Sequence, residues 1–481
     1  MTTRAFLIPS AVGLALLALL SGCVTTQATG PGDPTWQAPV PATLGANAVA
    51  GSAALPATAS ALPDWQTVIL NPRLRRTVDL ALDQNRDLQV ALRNIDAARA
   101  AVSSATADRL PTLKASAGTT TSKSADDLSS SGHGGVSRQH SASLGLSAWE
   151  IDLWGRLARL DEAAQAKLLA SEATARSVRS ALIAEVATAW LTLAADQQSL
   201  ALDEETLASQ QQTLALSQQQ KALGAISALD LAAVQAAAQT ARLNAATARS
   251  QVAQDLNALR LLLGTEPPAE LLPPGGQTAL DQTAQATALL GVPADLPSSV
   301  LLHRPDVMAA EFTLQANDAN VAAARAALFP TVSLTAAAGT ASTALSGLFA
   351  AGNGTWSVAP ALSLPIFDWG SRQAAIDTAR ANQQAQLATY EKTLQTAFQE
   401  VADALAVRAQ LDERLDAQTQ QVQAYAQALK LTETRRALGA DSALTVLEAQ
   451  RSYWNARQSL ISLTLAEQSN RLTLFKVLGG A

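Results

Sequence analysis

Leu438-Gly439-Ala440-Asp441-Ser442-Ala443-Leu444 is the stretch that decides how this 481-residue chain is read. It lies inside a proline-free run that begins after Pro365 and continues to the last residue. Glycine is the poorest helix former short of proline, so a Leu-Gly inside such a run marks a turn between two helices. The phrase recurs 215 residues earlier, as Leu223-Gly224-Ala225-Ile226-Ser227-Ala228-Leu229. Trp154-Gly155 against Trp369-Gly370, and Leu263-Gly264 against Leu478-Gly479, keep that spacing. Upstream the spacing becomes 219, for Pro111 against Pro330 and Asp87 against Asp306. One long unit is therefore written twice, and a repeat of this length is a tandem duplication rather than a solenoid period.

Within each unit the periodicity changes in the same order. Residues 71–108 carry apolar positions at Val78, Leu82, Leu88, Leu92 and Ile95, which predicts a helix that stops before Pro111. Leu113, Ala115 and Ala117 then alternate with Thr112, Lys114 and Ser116, and Ala142, Leu144, Leu146 and Ala148 alternate again. This pattern predicts a two-strand hairpin, with 122–139 as a solvated loop. Copy two predicts a helix over 305–328 and strands around Val332–Ala338 and Val358–Ile366. Pro360 and Pro365 there suggest a bend or bulge, because proline is awkward in a central strand. Residues 153–223 and 369–438 contain no proline and almost no glycine. Seventy residues of helix would be about 105 Å long. Leu387, Leu394 and Val401, then Leu411, Leu415, Val422, Tyr425 and Leu429, are spaced like heptads, and such helices must bury their stripe against partners. Return helices are expected over 230–263 and 442–478. Residues 264–300 connect the copies, with a short helix expected over 279–290.

Bulk composition excludes several classes. The net charge of −6 has no long basic or acidic runs, which argues against nucleic acid. His133, His140 and His303 lie far apart without ligand-spaced neighbours, so neither a metal site nor another cofactor is indicated. No nucleophile–base pair or phosphate loop is present, so the chain does not read as an enzyme. Cys23 is the one cysteine. Residues 1–22 read as an export signal: Arg4, an apolar run over 5–20 interrupted by Pro9, then Ser21-Gly22. That run falls short of the roughly 20 residues a spanning helix needs. Leu20-Ser21-Gly22-Cys23 resembles the bacterial lipobox, which would make Cys23 the lipid-modified first residue of the mature protein. Residues 23–63, rich in Pro, Ala, Gly and Thr, form a tether. The first repeat spans 64–263, the connection 264–300 and the second repeat 301–481.

Four strands of about ten residues have the length of tilted membrane strands. Strands in lipid must close into a barrel, four cannot close, and about eight is the practical minimum. Membrane insertion therefore requires several chains to share one barrel. A soluble four-strand sheet beside a coiled-coil stalk is the alternative, and the same alternation fits both.

The doubled plan resembles the outer membrane efflux protein family (TolC-like), and within it the lipoprotein branch of RND-type multidrug efflux systems (NodT-like). The matching phrases are Ile151-Asp152-Leu153-Trp154-Gly155-Arg156, His303-Arg304-Pro305-Asp306-Val307, Pro365-Ile366-Phe367-Asp368-Trp369-Gly370 and Leu444-Thr445-Val446-Leu447-Glu448-Ala449-Gln450. The resemblance covers about residues 65–479. It implies an α+β membrane protein, a homotrimer with a 12-strand β-barrel in the outer membrane continued by an α-helical periplasmic tunnel. The implied function is a passive exit duct for drugs or small molecules. The implied partners are a periplasmic adaptor (membrane fusion) protein and an inner-membrane RND-type transporter.

The same resemblance makes Leu223-Gly224 and Leu438-Gly439 the adaptor-docking tips. Glu448 matches a ring-forming acidic residue and Leu444 an apolar constriction, whereas without the family Glu448 would read as a solvated helix residue. Asp230 and Arg436 match a salt-bridge latch, and Asp441 stands where some relatives carry a basic latch residue. Trp154 and Trp369, at the strand-to-helix junctions, read as packing at the neck, with interfacial anchoring as the alternative, and Arg304-Pro305-Asp306 reads as a helix start. Protein or peptide secretion through the same duct, and a non-conducting periplasmic coiled-coil scaffold, are the competing readings.

Overall fold

The computed structural model describes residues 39–41, 64–125, 127, 134–276, 286–287 and 298–480. The chain divides into residues 1–39, of which Pro39 alone is described, and a unit of residues 40–481, to which all that follows refers. The export signal, Cys23, most of the tether and, apart from Ala286 and Thr287, the short helix expected over 279–290 lie outside the described residues.

The helix expected over 71–108 is two helices, α1 (Pro72–Gln84) and α2 (Arg86–Ala107). Asn85 separates them with an extended backbone (ψ 132), and its Oδ1 accepts from the Leu88 N–H at 2.9 Å as an N-cap. The apolar stripe continues in phase across this single residue, so periodicity alone does not reveal the break.

Strands β1 (Leu113–Lys123), β2 (Val136–Ile151), β3 (Thr331–Ser342) and β4 (Gly354–Ser363) form one antiparallel sheet in chain order. Leu113 lies opposite Leu146, Ala115 opposite Leu144 and Ala117 opposite Ala142, so the alternating apolar positions share a face. The first hairpin reaches into the segment expected to be loop. There small polar residues bond across the strands, Ser122 Oγ to Ser137 Oγ at 2.9 Å and Thr119 Oγ1 to His140 Nδ1 at 2.8 Å.

Pro360 does not bend its strand. The Ala341 N–H donates to the Asn353 carbonyl at 3.0 Å, which makes residues of that parity the hydrogen-bonded pairs of β3 and β4. Leu334–Pro360 is then a pair that needs no N–H, and the Pro360 nitrogen faces the open edge. The bulge sits instead in β2 between Leu146 and Trp149, where Ala148 takes φ 47 and its N–H donates to Thr335 Oγ1 at 3.1 Å.

Two 67-residue helices follow the hairpins, α3 (Arg156–Ala222) and, after α5 (Pro305–Ala326) and the second hairpin, α6 (Ser371–Ala437). The return helices are α4 (Ala228–Leu263), folded against α3, and α7 (Ala443–Val477), folded against α6. Helices α2, α3, α5 and α6 pack side by side in the order of strands β1 to β4. Position in that row decides burial. Central α3 has 22 buried residues and edge helix α6 has 7. An apolar window of α3 is long enough to cross a membrane, but 61% of it is buried inside the protein, as a core helix is.

The main core lies where α1, the middle of α3 and the ends of α4 and α7 meet, around Trp190, Ile183, Leu259, Leu263 and Phe475. The duplication is visible there as one bond made twice. Asn85 Nδ2 donates to the Leu262 carbonyl at 2.9 Å, and Arg304 Nη1 donates to the Val477 carbonyl at 2.9 Å. Asn85 and Arg304 are 219 apart, and Leu262 and Val477 are 215 apart, the two offsets of the repeat. Arg304 also forks Asp306, at 3.1 and 2.7 Å, and reaches Glu400 at 2.7 Å. The segment expected as a plain helix start is thus a helix start and a buried ionic hub, since the Arg304 side chain is only 8% exposed.

Candidate functional site

The two helical turns end their long helices identically. Gly224 (φ 73) donates to the Lys221 carbonyl at 3.0 Å and Ala225 to the Gln220 carbonyl at 2.8 Å. Gly439 (φ 77) donates to Arg436 and Ala440 to Arg435, both at 2.9 Å. This doubly bonded Schellman ending requires a left-handed residue, which is why glycine stands at both places. Serine caps start both return helices: Ser227 Oγ accepts from the Asp230 N–H at 3.0 Å and Ser442 Oγ from the Thr445 N–H at 3.2 Å.

The side-chain chemistry then diverges. Asp230 closes a capping box, its Oδ2 accepting from the Ser227 N–H at 3.2 Å and Oγ at 2.7 Å. The Ser227 hydrogen bonds hold the Asp230 carboxyl below its usual range, and the Arg436 charge adds to the effect. Within the single chain Arg436 acts on Asp230 through its field, and no ion pair joins them. The copy-two turn is stapled differently. Arg435 Nε and Nη2 donate to Asp441 Oδ2 and Oδ1 at 2.8 and 2.9 Å, spanning Leu438-Gly439. The Asp441 side chain is 14% exposed, so the fork covers it. An Arg and an Asp six apart across a Leu-Gly turn are the sequence signal for this staple, which comparing Asp441 with the basic latch residue of some relatives does not reveal. Copy one has Gln220 and Ile226 at these positions.

Leu223 and Leu438 project at the turns, 85% and 80% exposed, and Leu444 is half-exposed at 52%. Glu448 follows one turn along α7, exposed, with its carbonyl accepting from Ser452 Oγ at 2.9 Å. No cluster of metal-binding side chains occurs among the described residues. At the other end of the long helices, the Trp154 indole N–H donates to the Pro330 carbonyl at 2.7 Å and its ring stacks on Phe329 at 5.0 Å. Trp154, 41% exposed, packs through these two contacts, whereas its counterpart Trp369 departs from the packing reading, being 89% exposed and touching Phe367 edge-on.

The family model described as outer membrane efflux protein matches residues 77–265 and 296–480. The chain belongs to the outer membrane efflux protein family. The toluene efflux pump outer membrane protein TtgC of Pseudomonas putida is 40% identical over 422 residues, 88% of this chain and 86% of that protein. A membrane protein from Pseudomonas aeruginosa of known structure shares 40% identity and a TM-score of 0.81, covering 87% of this chain and 92% of its own. The open state of the Neisseria gonorrhoeae MtrE outer membrane channel shares 36% identity and a TM-score of 0.77, covering 87% and 91%.

This outer membrane efflux protein is a channel and not an enzyme, and it resides in the outer membrane with helices extending into the periplasm. The channel fold accounts for both of its ends, a sheet that is incomplete alone and helical turns with leucines facing outward. A raised carboxyl lies between them. Asp196 on α3 is pushed up to about 7, by burial first and then by Asp255 on α4. Asp255 Oδ1 accepts from Gln251 at 2.9 Å, while Oδ2 has no donor unless Asp196 carries a proton.

Proposed function

We propose that three copies of this chain close a twelve-strand barrel and a helical tunnel, which conducts small organic molecules passively to the exterior. One observation carries the reading: β1 and β4 both end the sheet as open edges, and α2 and α6 flank the helical row in the same way. An open edge in lipid leaves backbone groups unpaired, and four strands are too few to close. A periplasmic adaptor docks at the Leu223-Gly224 and Leu438-Gly439 tips, and an inner-membrane RND-type pump supplies the cargo. TtgC is by name a toluene efflux pump component, which favours small apolar cargo over secreted protein. Cys23 carries the lipid anchor. Leu444 and Glu448 narrow the tip, and Asp230 with Arg436 biases it closed.

Single-channel recording in planar bilayers tests this reading, with Glu448→Ala and Asp230→Ala beside wild type. Small cation-selective currents are expected, with selectivity lost in Glu448→Ala because three carboxylates near one axis favour cations. Larger currents are expected in Asp230→Ala. A protein that makes no pores in any of the three forms would sink the duct.

A further inference from the structure

The repeat specifies the contact between protomers residue by residue. Inside one chain, the copy-one junction meets copy two through β2 on β3 and through Trp154 on Phe329-Pro330. Among the described residues the copy-two junction lacks the equivalent cover: β4 is an edge strand, Trp369 is 89% exposed and Leu110 is 63% exposed. We propose that β4 pairs antiparallel with β1 of the next protomer in one register, Leu362 opposite the next protomer's Ala117. In the same contact Trp369 seats over Leu110, its indole N–H on the Pro111 carbonyl. The inference rests on the trimeric reading above.

The register comes from carrying the intrachain one through the repeat. Leu146 lies opposite Ala336 before the bulge, and Trp149 opposite Leu334 after it. The shared hairpin register makes Leu362 the counterpart of Leu146, and the 219 offset makes Ala117 the counterpart of Ala336. Beyond the bulge the 215 offset makes Leu364 the counterpart of Trp149, opposite Ala115. Leu362–Ala117 and Leu364–Ala115 belong to one unbroken register. Leu362 lies 216 residues beyond Leu146 and Leu364 lies 215 beyond Trp149; the extra residue of the β2 bulge accounts for that one-residue difference, so β4 needs no bulge.

Two features of the open edges agree. The Ser124 N–H donates to the Gly135 carbonyl at 3.2 Å, so even-numbered β1 residues spend their backbone groups on β2 and odd-numbered ones point outward. Even-numbered β4 residues point outward for the same reason, and the ladder to the next protomer omits one bond, at Pro360 opposite Thr119, because proline has no N–H to donate. The proposed register joins odd to even. It also lays Leu362 and Leu364 on the apolar face of Leu113, Ala115 and Ala117, whereas a one-residue slip would turn every side chain to the wrong face.

Disulfide trapping tests it. Thr120 and Ala359 would form a pair without mutual hydrogen bonds, with Cα atoms about 4.5 Å apart, inside the range a disulfide spans. Oxidised T120C/A359C protein should run as a covalent trimer that reductant dissolves, with wild type giving the Cys23 background. G118C/A359C, displaced by two residues to about 8 Å, should cross-link at least roughly tenfold less. Gly118 has open space around it, so that control tolerates a side chain. G118C/A361C restores the register and should cross-link again, which covers a failure of T120C/A359C to assemble. If native mass gives a trimer while the displaced pair links better, or none links, the register is wrong and the duct reading stands. A monomer by native mass overturns both.

Discussion

Replacing Arg304 with methionine keeps the volume and removes the charge at the copy-two hub. Three groups then lose their donor. The Val477 carbonyl belongs to a residue 4% exposed and cannot reach water, and an orphaned buried acceptor costs about 1–3 kcal/mol. Asp306 and Glu400 lose their cation, but their side chains are 37% and 45% exposed and rehydrate in part. Breaking a fully buried pair costs about 3–5 kcal/mol, and this exposure points to the low end, about 3 kcal/mol. Over a unit of this size that corresponds to a fall of roughly 3 °C in apparent Tm.

The pH dependence supplies a second readout. Burial alone would raise the Asp306 carboxyl, but the Arg304 hydrogen bonds and charge outweigh it and hold the group below its usual value of 3.8. A depressed carboxyl contributes stability above its unfolded pKa, which is lost as pH falls through its folded pKa. In Arg304→Met, burial acts unopposed and protonation relieves it, so the deficit should shrink as pH falls from 7 towards 4. Light scattering or intrinsic fluorescence melts in detergent at pH 7, 5 and 4 would follow this. A variant that melts within 1 °C of wild type at pH 7, or a deficit that grows on acidification, would refute the hub as the source of the stabilisation.

Two further outcomes follow from other sites. Gly264 and Gly224 both take left-handed backbones (φ 68 and 73), but an added Cβ at Gly264 would stand 2.5 Å from the Gln84 carbonyl oxygen and at Gly224 would meet nothing. Gly264→Ala should therefore cost about 2–4 kcal/mol and Gly224→Ala about 1 kcal/mol in melts, and equal costs would show that backbone conformation alone matters. Asp196 is pushed up to about 7, so the folded chain binds the extra proton between about pH 4 and 7, and stability declines as pH rises through that window. Asp196→Asn should flatten the melting profile between pH 5 and 8 and gain of order 1 kcal/mol at pH 8, after allowing for its partial exposure; superimposable profiles would contradict the raised Asp196 carboxyl.

What the sequence disclosed follows from which signals are local. Both Leu-Gly turns, the hairpins and the long helices rest on spacing and on single glycines, and the structure has them with boundaries shifted by a few residues. The Asn85 break escaped because a one-residue cap leaves the apolar phase unchanged. The β1–β2 ends escaped because serine and threonine that bond across strands have a loop's composition. Arg304 meets Glu400 only through the packing of α5 on α6, a contact 96 residues apart that no local pattern encodes. At the tip, Asp230 and Arg436 were identified through the family, whereas the Arg435–Asp441 staple is a property of this chain's own turn.

The duplication copied a skeleton of backbone and hydrogen-bond positions and left the chemistry free. Where copy one places Leu193, Val252 and Leu256 in or against the apolar core, the positions 215 residues on are Arg408, Glu467 and Arg471. Those three form an ion network, with Arg471 2.5 Å and Arg408 3.5 Å from Glu467, whose side chain is 6% exposed. Asn85 and Arg304 show the same exchange of neutral for charged around an unchanged carbonyl bond. The two sets fill their seams by different physics. Copy one's α3 is covered on both flanks by α2 and α5 and can fill its interior with tryptophan and leucine, since apolar burial grows with the area removed from water. The copy-two set is buried as well: the Arg408, Glu467 and Arg471 side chains are 13%, 6% and 15% exposed, and mutual pairing is what lets charge occupy the seam of α6 and α7. Removing one member would strand the others as buried unpaired charge, at a cost of about 3–5 kcal/mol.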